Sequence, residues 1–418
     1  MTTTNKVVLF ILLFFFITGT IVTVFTPVFA SSALIEDSWS VKTSMSQARA
    51  DLGAVAVDGK IYVIGGYTTF SEAAVNAYYP SGYVGTNEQY DPITDTWVTL
   101  KPMPTPRGNF AIVAYQNKIC CIGGGTNNND GWISCDTVEI YDTITDNWST
   151  KTAIPFDGVC IQANVIEGQI FVINRVYPDG GTSFYELYLY NPVADSWAQK
   201  ASIPLPDDIV VYSDIFYTFS VVLDNKIMVY FQYMYGYWAF KGKVMIYDPK
   251  TDVWAEGGTP PGMAGSHYLY SATGSWATTG VFAPKNVYVL GLTTNDNWGQ
   301  SNWVYTPNED TWSPAKDMPT NRGGGFGVAV VDDILYVIGG SIASVSSGYF
   351  PAEISSLNEQ YVPIGYNSTP LTSEQSINRS FSTELVAAVI VLMICVVVIT
   401  LLFFFLRVRK GSRGIKHE

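Results

Sequence analysis

One eight-residue phrase, written five times over, constrains this chain more than anything else in it. Tyr90-Asp91-Pro92-Ile93-Thr94-Asp95-Thr96-Trp97 returns in altered form at 141–148, 190–197, 247–254 and 305–312, always opening on tyrosine and closing on tryptophan. A spacing of about 50 residues marks a fold made by repetition, in which each unit buries its apolar face only against its neighbours. Function is then to be sought on a shared surface rather than in a catalytic motif.

Each unit has four short runs. In the first complete copy they are Gly53-Ala54-Val55-Ala56-Val57, then Ile61-Tyr62-Val63-Ile64 ending in Gly65-Gly66, then Asn87-Glu88-Gln89-Tyr90, then Trp97-Val98-Thr99-Leu100. β-Branched and aromatic runs separated by Gly, Pro, Asp and Asn read as strands joined by turns. Asp91-Pro92 suits a β-turn, because proline presets φ and the aspartate side chain can accept from backbone N–H groups just ahead of it.

The Gly-Gly pair, the tyrosine-to-tryptophan phrase and the lead Met103-Pro104-Thr105-Pro106-Arg107 together resemble the kelch repeat, from residue 37 to residue 362. The resemblance implies an all-β, kelch-type β-propeller with one four-stranded blade per repeat. Five units are complete. A sixth runs from Arg322 through Gly339-Gly340 to Tyr361 and stops, and its missing strand lies at the other end, in Asp37-Ser38-Trp39-Ser40-Val41-Lys42. The simplest reading is six blades closed by an N-terminal strand, which leaves no open sheet edge. The repeated Tyr, Trp and Val positions are expected in the core, and Gly-Gly where blades crowd or a strand bends.

Residues 385–406 are uncharged and apolar, long enough to cross a bilayer as a helix. The basic residues after them (Arg407, Arg409, Lys410, Arg413, Lys416) are expected to stay cytoplasmic. Residues 1–30 read as a signal peptide cleaved after Val28-Phe29-Ala30, or as an uncleaved N-terminal anchor; both place the propeller, 31–362, outside the cytoplasm. A Ser/Thr/Asn-rich stalk, 363–384, joins propeller to membrane helix, and 407–418 form the tail. Asn367 and Asn378 head glycan acceptor patterns in the stalk. With a net charge of −13 and a basic tail that leaves the rest more acidic still, the chain is a poor partner for nucleic acid.

An oxidising compartment permits disulfides. Cys135 and Cys160 fall near one face of neighbouring blades and are the candidate pair, against a reading in which the thiols stay free. Antiparallel strand order puts the variable second-to-third loops, 67–86 and 341–357 above all, at one face, with the chain ends at the other. That face is the expected binding surface for a protein or glycan. The ligand candidates there are Arg49, Arg107 and Arg322 near the axis, able to hold a carboxylate or to tie their blades together, and the aromatics Tyr79, Tyr83, Tyr349, Tyr235 and Trp238, able to stack or to pack.

No catalytic, metal or cofactor site is expected. His267 is the sole histidine outside the tail, so neither a two-histidine copper site nor a nucleophilic triad with a Gly-x-Ser-x-Gly elbow can be assembled. An alternative remains: a surface sugar hydrolase or epimerase using carboxylates such as Asp51, Asp207 and Asp208.

Overall fold

Short β-branched runs punctuated by aspartate and glycine fold into six antiparallel blades, five of four strands and a sixth that carries a fifth strand. The computed structural model describes residues 34–368 apart from 73–77, 129–130, 157–158, 177–183, 205–214, 237–238, 259–273, 292–299 and 344–350. The expected leader, membrane helix and tail, and most of the expected stalk, lie outside the described residues. Residues Met1–Ile35 form a unit of their own, of which Leu34 and Ile35 are described and exposed.

Blade one sets the pattern, with Gly53–Val57, Lys60–Ile64, Asn87–Asp91 and Thr96–Leu100 ordered across its sheet. Blade two runs from Ala111–Tyr115 to Asn147–Thr150, blade three from Val159–Ile166 to Ser196–Lys200, blade four from Ile215–Leu223 to Val253–Gly257, and blade five from Gly274–Ala277 to Thr311–Ala315. Blade six takes Arg322–Val331, Ile334–Ala343 and Asn358–Val362, and receives Ser38–Lys42 as its fourth strand. There Trp39 lies opposite Tyr361 in antiparallel register, as the split sixth copy predicts. An apolar cluster fills every junction, including that between blades six and one, where Tyr336 and Ile338 meet Ile61 and Tyr90.

The recurring phrase is a clasp between blades. Each of its tyrosines is buried and donates its hydroxyl to the aspartate five residues on, at 2.6 Å for Tyr90–Asp95 and 2.8 Å for Tyr305–Asp310. These aspartates take left-handed φ values of 49–57°, which aspartate tolerates better than most residues. In blades one to four the same carboxylate accepts the N–H of the residue at the preceding blade's exit, as Asp146 does from Lys101 at 3.0 Å. Each tryptophan sits 4.6–5.0 Å from its tyrosine, centroid to centroid, and donates Nε1–H to a carbonyl at the preceding blade's exit, as Trp148 does to Lys101 at 2.9 Å. The tryptophans are therefore half-buried hydrogen-bonding rings, not the fully enclosed wedges expected from sequence. In blade six the clasp joins the chain's two ends, with Tyr361 bonded to Asp37 at 2.8 Å and Trp39 to the Lys316 carbonyl at 2.8 Å.

Two expected loops are strands instead. Residues 67–86 contain a hairpin of Tyr67–Glu72 with Tyr78–Tyr83, and 341–357 contain Pro351–Ile354 paired to the extended second strand of blade six. Blade two adds a hairpin of Gly125–Asn128 with Gly131–Ser134. In blades three and four, which lack Gly-Gly, the second strands Gln169–Val176 and Lys226–Gly236 run straight on into the same region. The chain does not leave the propeller at 362. The Ile364 N–H donates to Tyr288 Oη at 3.2 Å, that of Gly365 to Glu36 at 2.5 Å and that of Asn367 to the Phe282 carbonyl at 2.7 Å.

Candidate functional site

In an antiparallel blade the first-to-second and third-to-fourth turns share one end and the second-to-third connections the other; these are the turn end and the loop end. Three arginines expected at the loop end do not face solvent. Arg49, Arg107 and Arg322 are fully buried, each paired inside its own blade with Glu88, Glu139 or Glu359; Arg49–Glu88 and Arg322–Glu359 are 2.7 Å apart. Each also bonds the backbone at the Gly-Gly bend: Arg49 reaches the Gly65 carbonyl at 2.7 Å, Arg107 that of Gly123 at 2.9 Å, and Arg322 that of Gly339. The second glutamate oxygen accepts a hydroxyl from Ser46, Thr105 or Thr320.

The physical cause is the glycine pair. At φ +65° and +92°, Gly65 and Gly66 turn the strand out of its ladder, and a guanidinium then supplies the donors its inward carbonyls lack. A buried guanidinium in turn needs a carboxylate. Burial pushes the Arg49 and Arg322 guanidiniums below their usual range, against the pull of Glu88 and Glu359. The capture of an acidic ligand by these arginines is therefore corrected: each ties together the strands of its own blade. The signal was in the sequence. Arginine, Gly-Gly and a glutamate two places before the motif tyrosine occur together in blades one, two and six.

What the loop end does present is an acid without an arginine. Asp51, two residues beyond Arg49, sits at φ +51°, half-buried at the entry to blade one. Its backbone carbonyl accepts the Asn109 N–H at 2.8 Å from the entry to blade two. Burial alone pushes its carboxyl up to about 6. Tyr67 and Tyr83, from the blade-one hairpin, lie within electrostatic reach of it, their phenols pushed up first by burial and then by its charge. Their rings meet edge to face at 5.9 Å, and Tyr67 meets Phe70 at 5.2 Å. On the adjacent hairpin Trp132 hydrogen-bonds Tyr83 yet stays 44% exposed, beside Ile133 at 41%.

Comparison with known proteins bears on the fold and the repeat. The Kelch motif family model matches residues 48–104 and 106–152. Kelch-like protein 25 of Xenopus tropicalis is 30% identical over 150 residues, which cover 36% of this chain and 24% of that protein. Kelch repeat and BTB domain-containing protein 1 of Cowpox virus (strain Brighton Red) is 34% identical over 149 residues, 36% of this chain and 23% of its own. Residues 48–104 and 106–152 thus carry kelch repeats. Among solved structures, that of YjhT aligns over 76% of the kelch chain and 96% of its own with a TM-score of 0.55; at 12% identity this is a likeness of fold. The kelch chain thus spans about a quarter of the length of those two curated relatives.

The remaining candidates on the kelch blades are dispersed. Tyr83 joins the Asp51 niche. Tyr79 stands in the strand Tyr78–Tyr83 and Tyr235 in Lys226–Gly236, with side chains outside the described set. Tyr349, Trp238, Asn378, Asp207, Asp208 and His267 lie outside the described residues. Asn367 is exposed, although its N–H is engaged. Cys135 is a free, half-buried thiol, so the bridge to Cys160 is not formed; its N–H bonds Gly124 and holds it at the root of the blade-two hairpin. Cys120 and Cys121 are buried thiols in the strand Lys118–Ile122, and burial pushes Cys120 up to about 12.

Proposed function

We propose that this kelch propeller is a non-enzymatic protein-binding module, held at a membrane by the apolar run 385–406 and displayed outside the cytoplasm with its loop end outward. The observation that carries the binding reading is the pair of hairpins on blades one and two, which project Trp132 and Ile133 into solvent beside an aromatic-walled niche. Exposed tryptophan beside aliphatic surface is the composition of interface anchors. The display reading is supported by both ends of the propeller meeting where Gly365 bonds Glu36, next to the turn-end clasp of Asp37. It is supported too by the uncharged run 385–406 and the basic residues that follow it.

Proximity labelling from the propeller of the full chain on intact cells tests this. A reproducible set of surface proteins is expected, lost in a Trp132→Ala, Ile133→Ser variant and kept in Ile144→Ser, which alters a 73% exposed residue at the turn end. A labelled set indifferent to the loop-end variant overturns the reading.

A further inference from the structure

The buried glutamates of blades one, two and six each face an arginine; Asp51 faces none. Among the described residues no hydrogen bond or ion pair reaches its carboxylate, and burial is the whole cause of its shift. Three blades converge on it. A Cβ at Gly325, from the entry to blade six, would lie 2.5 Å from Asp51 Oδ1; one at Gly108, from the entry to blade two, would lie 3.3 Å from Asp51 Cβ and 3.1 Å from the Tyr83 ring. The acid is thus fixed at a junction of glycine backbone, beside the Tyr83 ring and within electrostatic reach of Tyr67. A half-buried carboxylate without a partner is costly. Ring faces carry negative charge density that attracts ammonium and guanidinium groups. Both features favour the same chemical class of occupant, a cation with an apolar stem.

The geometry points to the niche of Asp51, Tyr67 and Tyr83 as a receptor for one cationic side chain, lysine or arginine, projected by a protein docked on the loop end. This rests on the protein-binding reading above and specifies its partner. A protein side chain is favoured over a free amine because Trp132, bonded to Tyr83, and Ile133 leave apolar surface beside the niche that a small cation would not cover.

The test uses the full chain in mild detergent and short synthetic peptides carrying a central lysine, arginine, citrulline or glutamate between aliphatic residues, with spermidine as the free amine. Asp51→Asn removes the charge and suits the backbone, since Asn109 holds the corresponding place in blade two at φ +52°. Lysine and arginine peptides are expected to bind, with citrulline, its neutral isostere, and glutamate weaker by about tenfold or more. Asp51→Asn should remove that discrimination, and Trp132→Ala should weaken all the peptides alike. Spermidine binding as tightly as the peptides, with Trp132→Ala silent, overturns the assignment to a protein side chain. Binding lost in Trp132→Ala but indifferent to citrulline and to Asp51→Asn overturns the cation receptor and leaves the loop-end interface standing. Indifference to both variants, or no peptide binding, overturns both.

Discussion

At the scale of single residues, the loop end sets buried glutamates that face an arginine beside a half-buried aspartate that faces none. Glu139 neutralises Arg107 where neither touches solvent. Glu139→Ala should therefore destabilise the propeller by about 3–5 kcal/mol, because it strands a buried guanidinium. Arg107→Met combined with Glu139→Leu should recover much of that loss, and urea unfolding of the single and paired variants checks the difference. Asp51 predicts the opposite sign. Its folded-state pKa, about 6, lies above the ordinary 3.8, so ionised Asp51 opposes folding. The relative stability this gives is complete below pH ~4 and is lost as pH rises through ~6. Asp51→Asn should accordingly raise the melting temperature at pH 8 and change it little at pH 4; a variant less stable at pH 8 would refute the argument. The arginines were visible in the sequence but their role was not, since equal spacing shows that a residue follows the repeat and not which way its side chain turns. The glutamate that decides the matter sits in another strand, brought close only by the sheet.

Among elements, the clasp explains why the phrase tolerates change at some positions and not at others. Position four, Ile93, Ile144, Val193 or Lys250, lies at an exposed turn tip and is free to vary. Tyrosine, the second aspartate and tryptophan are tied to one another and to the neighbouring blade. The Tyr141 hydroxyl first, then the Lys101 N–H, hold the Asp146 carboxyl below the usual carboxylate range. Asp195 and Asp252 are held down in the same way by Tyr190 and Tyr247. Depressed folded-state pKa values contribute stability that is present above pH ~4 and lost as pH falls, so the clasps should loosen in acid. Blade number, strand order and closure were legible because the phrase and its split copy count blades directly. The hairpins were not, because residues 67–86 lack the clean alternation that marks a strand. The closing strand carries the sharpest consequence. Deleting residues 33–45 removes Ser38–Lys42, the sixth clasp and Met45, which is buried at the junction of blades six and one. The expected result is loss of a single cooperative melting transition; an unchanged transition would mean that the sixth sheet does not need its fourth strand.

For the whole propeller, the consequence of ring closure is that entry and exit coincide. Glu36 and Gly365 are joined by a hydrogen bond, and the segment beyond Val362 is fastened to Tyr288 and to the Phe282 carbonyl. If the proposed membrane tether leaves from that point, it holds the propeller by its turn end, with the residues there toward the bilayer and the hairpins of blades one and two away from it. Two exposed aliphatic positions report on this: Ile144 in a third-to-fourth strand turn and Ile133 on the blade-two hairpin. In full-length protein carrying Cys135→Ser, a bulky polyethylene-glycol maleimide added to intact cells should react readily with Ile133→Cys and slowly with Ile144→Cys. Detergent extraction should bring the two rates together, because both side chains are exposed on the propeller itself. Equal rates on intact cells would show that the turn end is not held toward the membrane, and no reaction at either site before lysis would place the propeller on the cytoplasmic side.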